Sequence, residues 1–138
     1  MNLKVGLSIT SLLAVVVSIV FYVYNKPHKD IGSTATDHSI SSKKLVAFYI
    51  KDEDIANNKF LGKVIEVNGT ILLIHHSNAT EVVIELEGTQ ERVVICVLSR
   101  KQAAEKTRYK KGAIITIKGI CIGMLQDVNM KDCIIINE

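Results

Sequence analysis

Apolar and polar positions alternate through much of the second half of the chain. From Glu81 to Glu87 the alternation is strict, with Val82, Ile84 and Leu86 on one side and Glu81, Val83, Glu85 and Glu87 on the other. That is the period-two signature of a half-buried strand. Arg92–Leu98 is a nearly continuous apolar run and predicts a central strand covered on both faces. A basic Lys110-Lys111-Gly112 turn feeds a further alternating run, Ala113 to Ile122. A polar connection, Gln126 to Lys131, leads from there to a last apolar run, Cys133–Ile136. Upstream, Leu61–His76 is long and apolar but interrupted by Asn68-Gly69. Asn-Gly between β runs is a hairpin signal, and a glycine bulge in one long bent strand is its rival.

Two helices fit between these runs. Ser41 is placed as an N-cap, with Ile40 and Leu45 spaced for a hydrophobic staple. Leu45, Phe48, Tyr49, Asp52, Ile55 and Ala56 follow a spacing near 3.6, and Asn57-Asn58 ends the helix. Gln102-Ala-Ala-Glu-Lys predicts a short second helix within Ser99–Lys110. The order helix, three strands, short helix, two strands is that of the OB-fold, a five-stranded, partly open Greek-key barrel. Its first strand is long and coiled because it pairs with two neighbours. That favours the long-strand reading, with the bend at Gly69.

The N-terminus is of another kind. Val5 to Tyr24 holds no charged residue, and a helix of about 20 apolar residues spans the hydrocarbon of a bilayer. A cleaved signal sequence is the competing reading, but its apolar region is shorter and ends in small residues; here it ends Val20-Phe-Tyr-Val-Tyr. The division expected is therefore an anchor over 1–24, a flexible polar linker over 25–40 and an OB domain over 41–138. Lys4 on one side and Lys26 and Lys29 on the other nearly balance the positive-inside count. The shortness of the N-terminal tail favours a single-pass protein of the cytoplasmic membrane with its barrel outside the cytoplasm.

Composition narrows the chemistry. The chain has 138 residues, 48% of them apolar, and a net charge of +3, too near neutral for a general pull toward nucleic acid. Three cysteines fit no zinc spacing. Cys121 and Cys133 fall in adjacent strands of the expected barrel and are candidates for a disulfide; Cys96 is the other candidate partner for Cys133, and buried free thiols are the plainer alternative. His75-His76 point to opposite faces of a strand and do not chelate together. Asp52-Glu53-Asp54 diverge around a helix and read as a solvated face. No nucleophile elbow or acid–base constellation occurs, so no catalytic, cofactor or metal residue is expected and the chain does not read as an enzyme.

Three stretches resemble a known family. Asn25-Lys-Pro-His-Lys-Asp, Phe60-Leu-Gly-Lys-Val-Ile-Glu-Val-Asn-Gly, and Lys110-Lys-Gly with Ile117-Lys-Gly-Ile-Cys-Ile-Gly, Asp127-Val and Asp132-Cys are similar to the bacterial tRNA-anticodon-binding-like OB-fold proteins, small and membrane-associated. The family name implies nucleic-acid binding by analogy of fold. The residues argue otherwise: the barrel region offers few aromatics for stacking bases, and Glu81, Glu85 and Glu87 repel phosphate. OB-folds bind on their second and third strands, which makes Glu81, Val83, Glu85 and Arg92 the candidate binding face. Membrane lipid through the helix, and an envelope protein, peptide or oligosaccharide on the barrel, are the expected partners; nucleic acid is disfavoured.

Overall fold

The computed structural model describes residues 3–24, 30–78, 81–104 and 109–137, with side chains outside the description at 3–10, 78 and 137. In chain order the elements are α1 (Leu3–Tyr24), β1 (His38–Ser41), α2 (Ser42–Lys51), α3 (Glu53–Phe60), β2 (Val64–Asn78), β3 (Glu81–Glu87), β4 (Val93–Leu98), α4 (Arg100–Ala104), β5 (Ile114–Met124) and β6 (Val128–Asn137). The strands lie in the order β1-β2-β3-β4-β6-β5, and β5 returns to pair with β2. Strands β2 to β6 thus close a five-stranded Greek-key barrel, with β4 and β6 parallel and the other barrel pairs antiparallel. This is the expected OB architecture.

Closure rests on β2. Val64 to Thr70 pair with β5, and from Ile71 onward the strand pairs with β3. Asn68-Gly69 is therefore no hairpin. The register irregularity falls between Ile71 and Leu73, however, and not at Gly69. A Cβ on Gly69 would stand 2.3 Å from Ser42 Oγ and 2.9 Å from Ser42 Cβ. Gly69 is bare because α2 lands on it. Gly88 is the other half of the seat, where a Cβ would come within 2.8 Å of Val46 Cγ2. Ser42 also donates its hydroxyl to the Glu87 carbonyl at 2.5 Å, so the buried polar group is satisfied.

The helix over the barrel end breaks in two, where one continuous helix was expected. Asp52 leaves helical geometry with φ −161°, ends α2, and accepts from Ile55 N at 3.0 Å as the N-cap of α3. The break resets the phase. Leu45, Val46 and Tyr49 point inward from α2 and Ala56 and Phe60 from α3, while Phe48 and Ile55 are exposed. α3 runs past Asn57-Asn58 to Phe60. At the opposite barrel end, Ser99 Oγ accepts from Gln102 N and starts α4; the remainder of the predicted second helix, residues 105–108, lies outside the described residues.

The linker also differs from expectation. From Asp30 it is docked. Ile31 is buried, Thr36 Oγ1 donates to Glu66, Val64 N donates to Asp37, and Lys118 Nζ donates to the Thr34 carbonyl at 2.6 Å. Residues 38–41 then add β1 as a short parallel strand beside β2. This strap lies over Lys118 and accounts for an almost fully buried lysine on the outer face of β5.

α1 is a helix of 22 residues, about 33 Å at 1.5 Å per residue. Every described side chain from residue 11 to residue 24, Tyr24 included, is exposed; that of Val5 lies outside the described residues. Among the described residues no helix is long and apolar enough to cross a membrane.

The Gly69 seat yields a direct expectation. Gly69→Ala forces α2 off the barrel end and costs about 1–3 kcal/mol by urea denaturation, the range for overpacking. Ser42→Gly in the same chain removes both clashing atoms and recovers part of the loss. Equal stability of Gly69→Ala and the parent would refute the seat.

Candidate functional site

On β3 the outward row is Glu81, Val83, Glu85 and Glu87, as the alternation predicts, while Val82, Ile84 and Leu86 are buried. β4 was expected to be covered on both faces, but it alternates: Val94, Cys96 and Leu98 enter the core, and Val93, Ile95 and Val97 face outward half-buried. The register sets Val83 beside Val97, Glu85 beside Ile95 and Glu87 beside Val93. On the neighbouring strand Leu73 stands beside Glu85 and is 46% exposed. The face is thus an apolar surface of Leu73, Val83, Ile95 and Val97 crossed by one acidic row.

Two carboxylates of that row have polar partners. His75 Nε2 lies 2.9 Å from Glu85 Oε1, and Lys43 Nζ lies 3.1 Å from Glu87 Oε1. The latter is an exposed pair that contributes little to stability. His75 and His76 both belong to β2 rather than to a loop.

Arg92 sits at the rim. Its guanidinium donates to the Gln126 carbonyl in the β5–β6 turn, and Asp127 Oδ1 accepts from Val93 N at 2.9 Å. The two contacts fasten the turn to the start of β4. Of the four face residues read from the sequence, Glu81, Val83 and Glu85 share one surface and Arg92 braces its edge. Leu73, Ile95 and Val97 were not read. The apolar run of β4 concealed which of its residues face outward, and Leu73 is aimed by the irregularity before it.

The cysteines occupy the core. Cys96, Cys121 and Cys133 are buried free thiols. Cys121 is registered with Met130, not with Cys133. Asp132 has φ +51°, an uncommon geometry that Asp tolerates, and around it β6 shifts register. Inward positions change from Val128 and Met130 to Cys133 and Ile135, so Cys133 turns in against Gly119, where a Cβ would stand 2.5 Å from its sulfur. Its thiol is pushed up chiefly by burial, then by a hydrogen bond with Cys96 and by the charges of Cys96, Asp132 and Cys121. Cys121 instead meets Tyr49 Oη at 3.4 Å. Of the two partners open to Cys133 from sequence, Cys96 is the one whose thiol contributes most to raising it, and neither pairing is a disulfide. Among the described residues no group of three or more His, Cys, Asp or Glu is placed to hold a metal ion.

The architecture and its open lateral face define an OB-fold domain of the tRNA-anticodon-binding-like type. The chain belongs to the tRNA_anti-like family, whose sequence pattern matches residues 3–134. No curated protein matches it. Among solved structures it is similar to a lipoprotein of Klebsiella pneumoniae to which nucleic-acid binding is ascribed, with TM-score 0.56 and 14% identity over 81% of this chain and 100% of that one. It is also similar to the asparaginyl-tRNA synthetase of Entamoeba histolytica, with TM-score 0.44 and 15% identity over 56% of this chain and 21% of that one. At these identities the likeness is one of fold.

The buried thiol and phenol set a pH dependence. Burial, and the hydrogen bond to Cys121 after it, push Tyr49 well up, in the same direction as Cys133. Both groups hold their protons more tightly in the fold than in the unfolded chain. Their contribution is therefore complete below the ordinary values, 9.0 for the thiol and 10.0 for the phenol, and is lost as pH rises beyond them. The urea midpoint should be level from neutral pH to about pH 8.5 and fall above it. Tyr49→Phe should flatten part of that fall, and a midpoint that stays level through strong alkali would refute the assignment.

Proposed function

We propose that this protein is a membrane-tethered, non-catalytic binding module that takes an extended polypeptide across the outer face of β3 and β4. One observation carries the reading: Leu73, Val83, Ile95 and Val97 form an exposed or half-buried apolar surface on the side where OB-folds bind. An apolar surface beside Glu81 and Glu85 suits an apolar and basic segment of an envelope protein or peptide. An oligosaccharide is the non-protein alternative of the same site.

The tether rests on α1. Its apolar side chains are exposed on all sides from residue 11 onward, and a helix apolar all round calls for an apolar surrounding. Ser18 donates to the Ala14 carbonyl at 2.8 Å, so its hydroxyl is satisfied within the helix. The family match begins at residue 3 and thus takes in this segment. The side of the cytoplasmic membrane proposed for the barrel is the outer one.

Single-stranded nucleic acid is the second reading, favoured by the binding ascribed to the Klebsiella lipoprotein and by the family's name. Stacking platforms and a basic groove are what such binding needs. Here β3 and β4 contain no aromatic residue, and the outward charges of β3 are all acidic.

The full chain in lipid nanodiscs separates the two. An extended peptide alternating apolar and basic residues should bind, and Ile95→Asp or Val97→Asp should weaken it at least about tenfold, roughly 1.4 kcal/mol. A labelled single-stranded oligonucleotide should show no salt-dependent binding. Oligonucleotide binding that weakens steeply with salt and ignores Ile95→Asp would replace the polypeptide reading. Orientation has its own readout: protease given access only to the outer side of the cytoplasmic membrane should digest the barrel, and complete protection would put the barrel in the cytoplasm.

A further inference from the structure

We infer that the barrel end bearing Lys110, Lys111, Ile114 and Ile136 rests on the anionic surface of the bilayer that holds α1. The inference builds on the tether proposed above and goes beyond it by naming the face and the lipid chemistry.

The first support is a length. A linker of 16 residues, 25–40, would have let the barrel hang far from the membrane. The strap docks from Asp30, so only residues 25–29 separate it from Tyr24. Six Cα–Cα steps reach at most about 22 Å in any conformation. A barrel on so short a lead remains beside the headgroups.

The second support is place. The strap meets the barrel beside Ile134: a Cβ on Gly32 would lie 3.7 Å from Ile134 Cδ1. Ile134 is registered with Lys118, and Thr116 with Asn137. Ile136 lies two residues beyond Ile134, and Ile114 two residues before Thr116, each a step of about 7 Å along its strand. The strap thus enters one step along β6 from Ile136, with Ile114 four residues from Lys118 along β5.

The third support is chemistry. Ile114 is 62% exposed and Ile136 37%, and the adjoining turn presents Lys110 and Lys111 to solvent. Apolar side chains rimmed by lysines form an interfacial membrane surface, and each lysine near an anionic leaflet contributes about fivefold in partitioning. Ile55 at 56%, Ile122 and Leu61 at 48% each and Leu125 at 93% are competing exposed residues of the domain, and the most exposed of them is Leu125. It lies at the far hairpin, beside a turn that Arg92 and Asp127 bind to β4.

The protein contains no tryptophan, which provides a clean probe. Ile114→Trp and Leu125→Trp, each in the full chain, are reconstituted into vesicles of phosphatidylcholine with phosphatidylglycerol, with and without spin-labelled lipid. Ile114→Trp should be blue-shifted and quenched by the labelled lipid, while Leu125→Trp should be neither. Adding Lys110→Glu and Lys111→Glu, or omitting phosphatidylglycerol, should abolish the quenching at Ile114→Trp. Both positions are exposed, so neither tryptophan disturbs the core. If the chain floats with vesicles but Ile114→Trp is not quenched, the docking is refuted and the anchor stands. If the chain does not float, the anchor falls and the docking with it.

Discussion

This five-stranded sheet closes through one strand long enough to serve two neighbours along different halves, and that strand is β2. Its first half serves β5 and its second half serves β3. Every barrel strand then has two hydrogen-bonded neighbours, which leaves little edge open to edge-to-edge association. The irregularity between Ile71 and Leu73 falls where β2 passes from one partner to the other. It also directs Leu73 outward, so the residue that completes the candidate binding face is placed there by barrel closure.

A closed barrel still has two open ends, and their covers decide which surface is left for a ligand. α2 closes one end by placing Ser42 and Val46 where Gly69 and Gly88 lack side chains. Behind them Phe60 is fully buried and meets the rings of His38, Phe48 and Tyr49 edge-on or tilted at 5.5 to 6.3 Å, arrangements that aromatic pairs favour. The strap from Asp30 to Ser41 covers the outer side of β5 and β2. The outer side of β3 and β4 is left uncovered.

Periodicity made most of this legible. Strict alternation placed β3 with the correct faces, and the element order gave the OB barrel. The Ser41 cap was visible from residue type and spacing, and the structure keeps it: Ser41 accepts from Lys44 N at 3.4 Å. What stayed hidden was nonlocal. An apolar run such as Val93–Leu98 carries no parity of its own, so its half-exposed outer row emerges only from pairing with Val83 and Glu85. Asp132 at φ +51° flips the inward set of β6 and moves Cys133 away from Cys121, which no spacing rule anticipates. The polar strap looked like a spacer because its composition is that of a spacer. It is held by three side-chain hydrogen bonds to the barrel and one buried isoleucine, and each partner lies far off in sequence. Gly69 read as a bend for a similar reason: a glycine forced by a neighbour's approach looks the same in sequence as a glycine forced by its own backbone.

The family's name and the chemistry of the face pull in different directions, and fold alone cannot decide between them. A barrel that binds single strands uses the outward positions of its second and third strands for stacking rings and cations. Those positions in this chain carry valine, isoleucine and glutamate. Glu85 is engaged by His75 and Glu87 by Lys43, and apolar positions lie beside them. Burying apolar area is favourable in proportion to its extent and needs no particular charge on the partner. The barrel depends on its inward residues, so the outward residues of the same strands are free to vary without loss of the fold.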